Sequence, residues 1–170
     1  MMKTIKIQYY KSIIGELLLG CSDNKLCLCD WVKEERRNII DKKIQNALNA
    51  RYEVGNSEVI EQTIKELDEY FAKRRKMFDI PLLFVGTSFQ KTVWKELLNI
   101  PYGKTISYKE LAQKIGNPKA IRAVANANRL NAISILVPCH RVISSNNKLV
   151  GYGGGLTAKK TLLDLENNIL

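Results

Sequence analysis

Two short helical segments, Ser107–Ile115 and Lys119–Leu130, are separated by nothing but Gly116-Asn117-Pro118. Glycine accepts the left-handed backbone that ends a helix, and proline cannot continue one. The chain must therefore stop, turn and restart within a few residues. Ser107 is placed to cap the first segment, and Glu110, three residues on, sits at the capping-box position. The spacing predicts a helix-turn-helix. Before it, Ser88–Ile100 carries Phe89, Val93, Trp94, Leu97 and Leu98 on one side, which predicts another helix, and Pro101–Lys104 is a turn. After it, Ile133–Val137 reads as an apolar β-type run ending in Pro138. The glycine-rich stretch Gly151–Gly155 reads as a flexible loop, and Thr157–Asn167 as a closing helix.

The first half has a different rhythm. Lys3–Tyr9 alternates as a strand does. Gly15–Cys21 and Lys25–Trp31 flank Ser22-Asp23-Asn24, a hairpin signal. Glu34–Ala50 is polar and weakly patterned, a loop with some helix. Ser57–Lys76 predicts a helix capped by Ser57, its apolar stripe running through Val59, Ile60, Ile64, Leu67 and Tyr70. Its acids come early and Lys73–Lys76 late, as the helix dipole favours. With Pro81 and Gly86 as punctuation, the expected division is an N-terminal domain at 1–80, a connector at 81–87 and a C-terminal domain at 88–170.

The chain has 170 residues, 45% apolar and 26% charged, which is ordinary for a globular protein with a real core. No apolar run is long enough to span a membrane, and the start is too polar for a signal peptide. A cytoplasmic protein is expected. The net charge of +10 is unevenly spread. Residues 1–87 hold 15 Lys and Arg against 13 Asp and Glu, whereas residues 88–170 hold 12 against 4. A basic, acid-poor half suits a polyphosphate partner, although a lysine-rich composition also serves solubility. Cys21, Cys27 and Cys29 read as buried packing residues, because a single histidine leaves too few ligands for zinc.

The chemistry centres on Cys139-His140. A thiol is a useful nucleophile only as thiolate, and a neighbouring imidazole can take its proton. The base then needs an acid to orient it. The C-terminal half offers Glu96, Glu110, Asp164 and Glu166. Glu110 is used as a cap, so Glu166, late in the closing helix, is the preferred partner. Pro138 stiffens the backbone before the nucleophile. The competing explanation is a structural Cys-His pair at a strand end.

The segment Ile135-Leu136-Val137-Pro138-Cys139-His140-Arg141-Val142-Ile143 closely resembles the active-site signature of the methylated-DNA–protein-cysteine methyltransferases. Phe89-Gln90 with Val93-Trp94, Pro101-Tyr102-Gly103, Ile106-Ser107-Tyr108, Gly116-Asn117-Pro118-Lys119-Ala120, Arg122-Ala123-Val124, Asn131 and Gly151-Tyr152 follow the same family, in order. The resemblance is strong from Ser88 to Leu170, and before that only in outline. It implies an α+β protein: an N-terminal α/β domain with an antiparallel, RNase H-like sheet, and a mostly helical C-terminal domain of winged-helix, helix-turn-helix type.

The resemblance also implies an activity, the irreversible, single-turnover transfer of the alkyl group of O6-alkylguanine, and also of O4-alkylthymine, from DNA to Cys139. His140, through a water, and Glu166 would activate the thiol. Tyr108 would serve the base at N3 and pack on the target phosphate. Asn131 would brace the turn around the nucleophile. The carbonyls of Cys139 and Val142 would accept from the guanine 2-amino group, with the Gly153 amide facing O6 and Tyr152 lining the pocket. Gly153 replaces a serine found in some relatives, which would widen the pocket. Arg122 would fill the gap left by a flipped nucleotide. Lys119, Ala123, Ala125, Ala127 and Arg141 would complete the DNA surface, with small side chains admitting the helix to a minor groove. The implied partner is double-stranded DNA carrying O6-alkylguanine, met by a monomer without cofactor, metal or membrane. Two rivals remain. One is a non-enzymatic damaged-DNA binder of the alkyltransferase-like type, which lacks the cysteine. The other is a cysteine hydrolase with a Cys-His dyad.

Overall fold

In the computed structural model, which describes residues 1–33 and 35–170, Asp23 and Asn24 both adopt left-handed backbone, with φ of 48° and 60°. Two such residues in succession make the turn whose twist matches a right-twisted hairpin. They join β2 (Gly15–Ser22) to β3 (Lys25–Trp31), and β1 (Lys3–Ser12) pairs with β2, all antiparallel. The expected antiparallel sheet is corrected at its far edge. There β4 (Ala50–Val54) runs parallel to β1, giving a mixed sheet of order β3-β2-β1-β4.

The fourth strand hides in the polar segment expected to be loop and helix. Of that segment, Glu34 lies outside the described residues. Helix α1 (Arg37–Leu48) buries only Ile40 and Ile44, so its apolar signal is thin. Ion pairs fix its start instead, for Asp30, fully buried, receives Arg36 at 2.8 Å and Arg37 at 3.1 Å. Asn49 then takes the left-handed cap at φ 47° and delivers the chain straight into β4. Helix α2 (Glu58–Phe71) is capped by Ser57, as its sequence predicts, but ends five residues short of Lys76. Lys73 is already left-handed, and Arg75 folds back on Glu69 at 2.7 Å. Residues 81–83 are held by β3, since Leu26 exchanges backbone hydrogen bonds of 2.8 Å with Pro81 and Leu83.

The chain divides into two compact units, Met1–Val85 and Gly86–Leu170. The second is mostly helical. Thr87 and Gln90 form a capping box at α3 (Ser88–Leu97), and Ser107 and Glu110 form another at α4 (Tyr108–Lys114). Helix α5 (Ile121–Arg129) follows the Gly116–Pro118 stop. Two short strands, β5 (Ile106–Ser107) and β6 (Val142–Ile143), pair in parallel and bring the start of α4 beside the residues after Cys139. Helix α6 (Leu156–Glu166) closes the unit on the single 3-10 turn Cys139–Arg141. No described helix is long and apolar enough to cross a membrane.

Candidate active site

The approach to Cys139 is a turn, which corrects the β-type reading of Ile133–Val137. An apolar run becomes a strand only if neighbours satisfy its backbone, and here a side chain does that work. Asn131, 1% exposed, donates from Nδ2 to the carbonyls of Val137 (2.9 Å) and Ile133 (3.3 Å). Its Oδ1 accepts from the Ile133 N–H at 3.0 Å. Inside this bracket Ile135 stands at φ 72°, an unfavourable left-handed conformation for a β-branched residue. Burial of Ile133, Ile135 and Val137 holds the turn shut against that strain.

The turn delivers Cys139 and His140 to the first turn-like backbone after Pro138, both buried. His140 Nε2 lies 2.8 Å from Glu166 Oε1, so the carboxylate preferred from sequence does meet the imidazole. Glu166 is held well below the usual carboxylate range. Burial opposes this, but hydrogen bonds from His140 and Arg141 and the charge of the Arg141 guanidinium overcome it. An ionised carboxylate only accepts, so Nε2 carries the hydrogen and Nδ1 keeps the lone pair. Nδ1 is buried and has no hydrogen-bond partner among the described residues. Desolvation pushes the His140 pKa down, and Glu166 only partly offsets it. Burial thus disfavours the charged ring, and its open nitrogen is not the one committed to Glu166.

Three residues around this pair escape sequence reasoning in the roles they take. Arg141, expected on the DNA surface, is 6% exposed, and its guanidinium meets Glu166 at 2.8 and 3.0 Å and the Ile100 carbonyl at 2.7 Å. Lys159 is fully buried and donates from Nζ to the carbonyls of Val142 (2.6 Å) and Val150 (3.0 Å). Burial brings its ammonium down to about 8, while the nearby Cys139 sulfur acts in the opposite sense. Asn128, 4% exposed, donates to the Cys139 carbonyl at 3.3 Å and also interacts with the Tyr108 phenol. The signal for Lys159 was present, because it precedes Glu166 by seven residues and shares its helix face.

Tyr108 is brought to the same place. Its hydroxyl donates to the Val150 carbonyl at 3.4 Å, its ring lies 6.0 Å from Lys159 Nζ, and burial and the Cys139 charge raise its pKa. Tyr152 stands edge-on to His140 with centroids 6.5 Å apart, and Val142 and Gly153 are buried nearby in sequence. On α5, Arg122 and Ala123 are exposed, Ala125 is half-buried, and Lys119 is exposed just before the helix. Ala127 is not on that surface. It is 1% exposed, and its carbonyl accepts from Trp94 Nε1 at 2.8 Å. Cys21, Cys27 and Cys29 are buried, with the Cys27 thiol pushed up to about 12 by desolvation. Among the described residues no group of three His, Cys, Asp or Glu could hold a metal.

Comparison with known proteins bears on the whole chain. Residues 5–84 match the model of the 6-O-methylguanine DNA methyltransferase ribonuclease-like domain, and residues 88–168 that of its DNA-binding domain. A methylated-DNA–protein-cysteine methyltransferase of Methanosarcina acetivorans is 42% identical over 160 residues, covering 94% of this chain and 96% of the relative. The constitutive enzyme of that name from Bacillus subtilis is 40% identical over 157 residues, covering 88% and 87%. The crystal structure of Mycobacterium tuberculosis O6-methylguanine methyltransferase superposes with a TM-score of 0.82 at 38% identity, covering 96% of this chain and 93% of that one. The same organism's protein in complex with DNA gives 0.81 at 39% identity, covering 97% and 93%. With both halves matched in order, the chain belongs to the 6-O-methylguanine DNA methyltransferase family.

Proposed function

We propose that this protein repairs DNA by direct reversal, moving the alkyl group of O6-alkylguanine, and of O4-alkylthymine, irreversibly onto Cys139. The observation that carries the reading is the buried pair beside Cys139, in which Glu166 fixes His140 Nε2 and leaves Nδ1 as an acceptor. In the reaction the Cys139 sulfur forms a bond to the alkyl carbon as the carbon–oxygen bond breaks. The thiol proton goes to His140, and guanine departs with the bonding pair on O6. Tyr108 supplies a hydrogen bond or proton to that base, making it a better leaving group. The product is a thioether that nothing in the site can cleave, so each molecule acts once. All reacting atoms belong to the protein and the DNA, and no cofactor is required.

The remaining residues take supporting parts in the same reading. Asn131 braces the turn, and the carbonyls of Cys139 and Val142 with the Gly153 amide read the base edge beside Tyr152. Arg122 fills the stack behind a flipped nucleotide, while Lys119, Ala123 and Ala125 lie along double-stranded DNA. A thiol acceptor suits the reducing cytoplasm. The cysteine also separates this reading from a damaged-DNA binder without transfer. The test is intact mass after mixing with a duplex containing O6-methylguanine. The expected result is a gain of one methyl on the Cys139 peptide, lost in Cys139→Ala while DNA binding persists. Folded protein that gains no methyl sinks the proposal.

A further inference from the structure

Asn128 is a buried polar side chain to which the alkyl-transfer reading gives no task. It lies in the last turn of α5, 4% exposed, and its Nδ2 donates to the Cys139 carbonyl at 3.3 Å. A second hydrogen bond from the same side chain acts on the Tyr108 phenol. Burial and the Cys139 charge push that phenol up, whereas the Asn128 hydrogen bond pulls it down. A hydrogen bond lowers a phenol's pKa when the phenol oxygen accepts it, so the amide is the donor. A primary amide carries two hydrogens, one for each of these oxygens. We propose that Asn128 is a positioning residue that bridges the Tyr108 phenol oxygen and the Cys139 carbonyl, and so keeps the phenol hydrogen free for the target base.

An amide at this position is not explained by packing. Asn128 Oδ1 is buried and has no hydrogen-bond partner among the described residues. A leucine would fill the same space without stranding an acceptor. The side chain is also held firmly. The preceding residue, Ala127, is 1% exposed and accepts from Trp94 Nε1 at 2.8 Å. The Asn128 carbonyl itself accepts from the Asn131 N–H at 3.3 Å. The bridge therefore ties Tyr108, at the start of α4, and the nucleophile turn to one anchored helix end.

The inference rests on the alkyl-transfer reading, in which Tyr108 serves the base. At rest the phenol hydrogen goes to the Val150 carbonyl at 3.4 Å, a long contact that is easily exchanged. With its oxygen already accepting from Asn128, the phenol meets the base as a donor. As the carbon–oxygen bond breaks, negative charge builds on the guanine and draws the phenol hydrogen towards it. Charge then collects on the phenol oxygen, where the Asn128 hydrogen bond grows stronger than it was at rest. The Cys139 carbonyl keeps its second lone pair for the base edge.

The test is a double-mutant cycle on the rate of methyl transfer from a duplex containing O6-methylguanine, with alkylation of Cys139 by iodoacetamide as the control. Asn128→Leu should slow transfer roughly tenfold, the factor for one hydrogen bond to a charge that develops in the reaction. Iodoacetamide needs no help from Tyr108 and should react as fast as before. In a Tyr108→Phe background the same substitution should slow transfer no further. A further loss there, or an equal loss in both reactions, would show that Asn128 only holds the turn, and overturns the proposal. If Asn128→Leu does not fold, the side-chain amide proton of Asn128 decides, because its NMR shift is compared between wild type and Tyr108→Phe alone. Phenylalanine keeps the ring and loses only the hydrogen bond, so the resonance should move upfield. An unmoved resonance overturns the proposal. Folded wild type that transfers no methyl while this shift is seen would defeat the alkyl-transfer reading and leave the bridge intact.

Discussion

His140 is the residue on which the pH behaviour of this fold turns. Its folded pKa is depressed by burial, so between that value and the ordinary histidine value near 6.5 the unfolded chain binds a proton that the folded chain does not. Stability must fall as pH drops through this window, by up to about 1.4 kcal/mol per pH unit. Glu166 has the same sign but a lower window. Its stabilisation is complete above the unfolded value of 4.5 and disappears only as pH falls towards its depressed folded value. Urea denaturation of wild type between about pH 7 and about pH 5.5 should therefore show a loss that belongs to His140. His140→Asn should flatten it. An equal slope in that variant would show that another group is responsible.

Elements rather than single residues decide how α3 and the nucleophile turn are set. Gly86 lies directly under α3. A Cβ there would stand 2.6 Å from Trp94 Cη2 and 2.7 Å from Gln90 Oε1, the side chain that closes the Thr87 capping box. Gly86→Ala should cost about 1–3 kcal/mol, because neither the buried indole nor the cap can retreat freely. Thermal melting, with Trp94 Nε1 exchange as a local report, checks this. Asn131→Ala should cost about 2–4 kcal/mol by leaving the Ile133 and Val137 backbone groups without their partner, and alkyl transfer should fall further than stability. Transfer at the wild-type rate in a folded Asn131→Ala would mean that the bracket does not position Cys139.

These elements also mark where the sequence was legible. The capping box at Ser107 and the stop at Gly116–Pro118 depend on contacts within one turn, so residue spacing alone finds them. Glu166 was reachable because a base needs an acid and few acids were available. The parallel strand β4 and the pair β5–β6 were not, since strand partners far apart in sequence leave no local period. The turn at 133–137 misled for a related reason. Its apolar residues mark burial, and nothing in them reveals that Asn131 replaces a neighbouring strand. Arginine suits phosphate, which points Arg141 to DNA, yet the same fork suits a carboxylate, and only the packing of α6 distinguishes the two.

For the whole molecule the governing quantity is where the charge lies. Nearly all of the +10 belongs to the half that carries α4 and α5, with residues 88–170 holding 12 basic against 4 acidic residues. Not every one of those cations can reach DNA. Arg141 and Lys159 are buried on Glu166 and on carbonyls, whereas Lys119 and Arg122 are exposed. If roughly four phosphates are neutralised, affinity for an undamaged duplex should fall roughly a hundredfold between about 50 and about 200 mM salt. Lys119→Ala should reduce the slope of log affinity against log salt by about one, equally for damaged and undamaged DNA, because a phosphate contact carries no base information. Arg122→Ala should act differently. In the role proposed for it, filling the space of a flipped nucleotide, Arg122 matters only once the base has left the stack, so the loss should appear chiefly in the rate of methyl transfer from duplex DNA. Transfer from the free base O6-methylguanine, which needs no flipping, should be unchanged in both variants. A loss there in Arg122→Ala would move that residue from the DNA surface into the reaction itself.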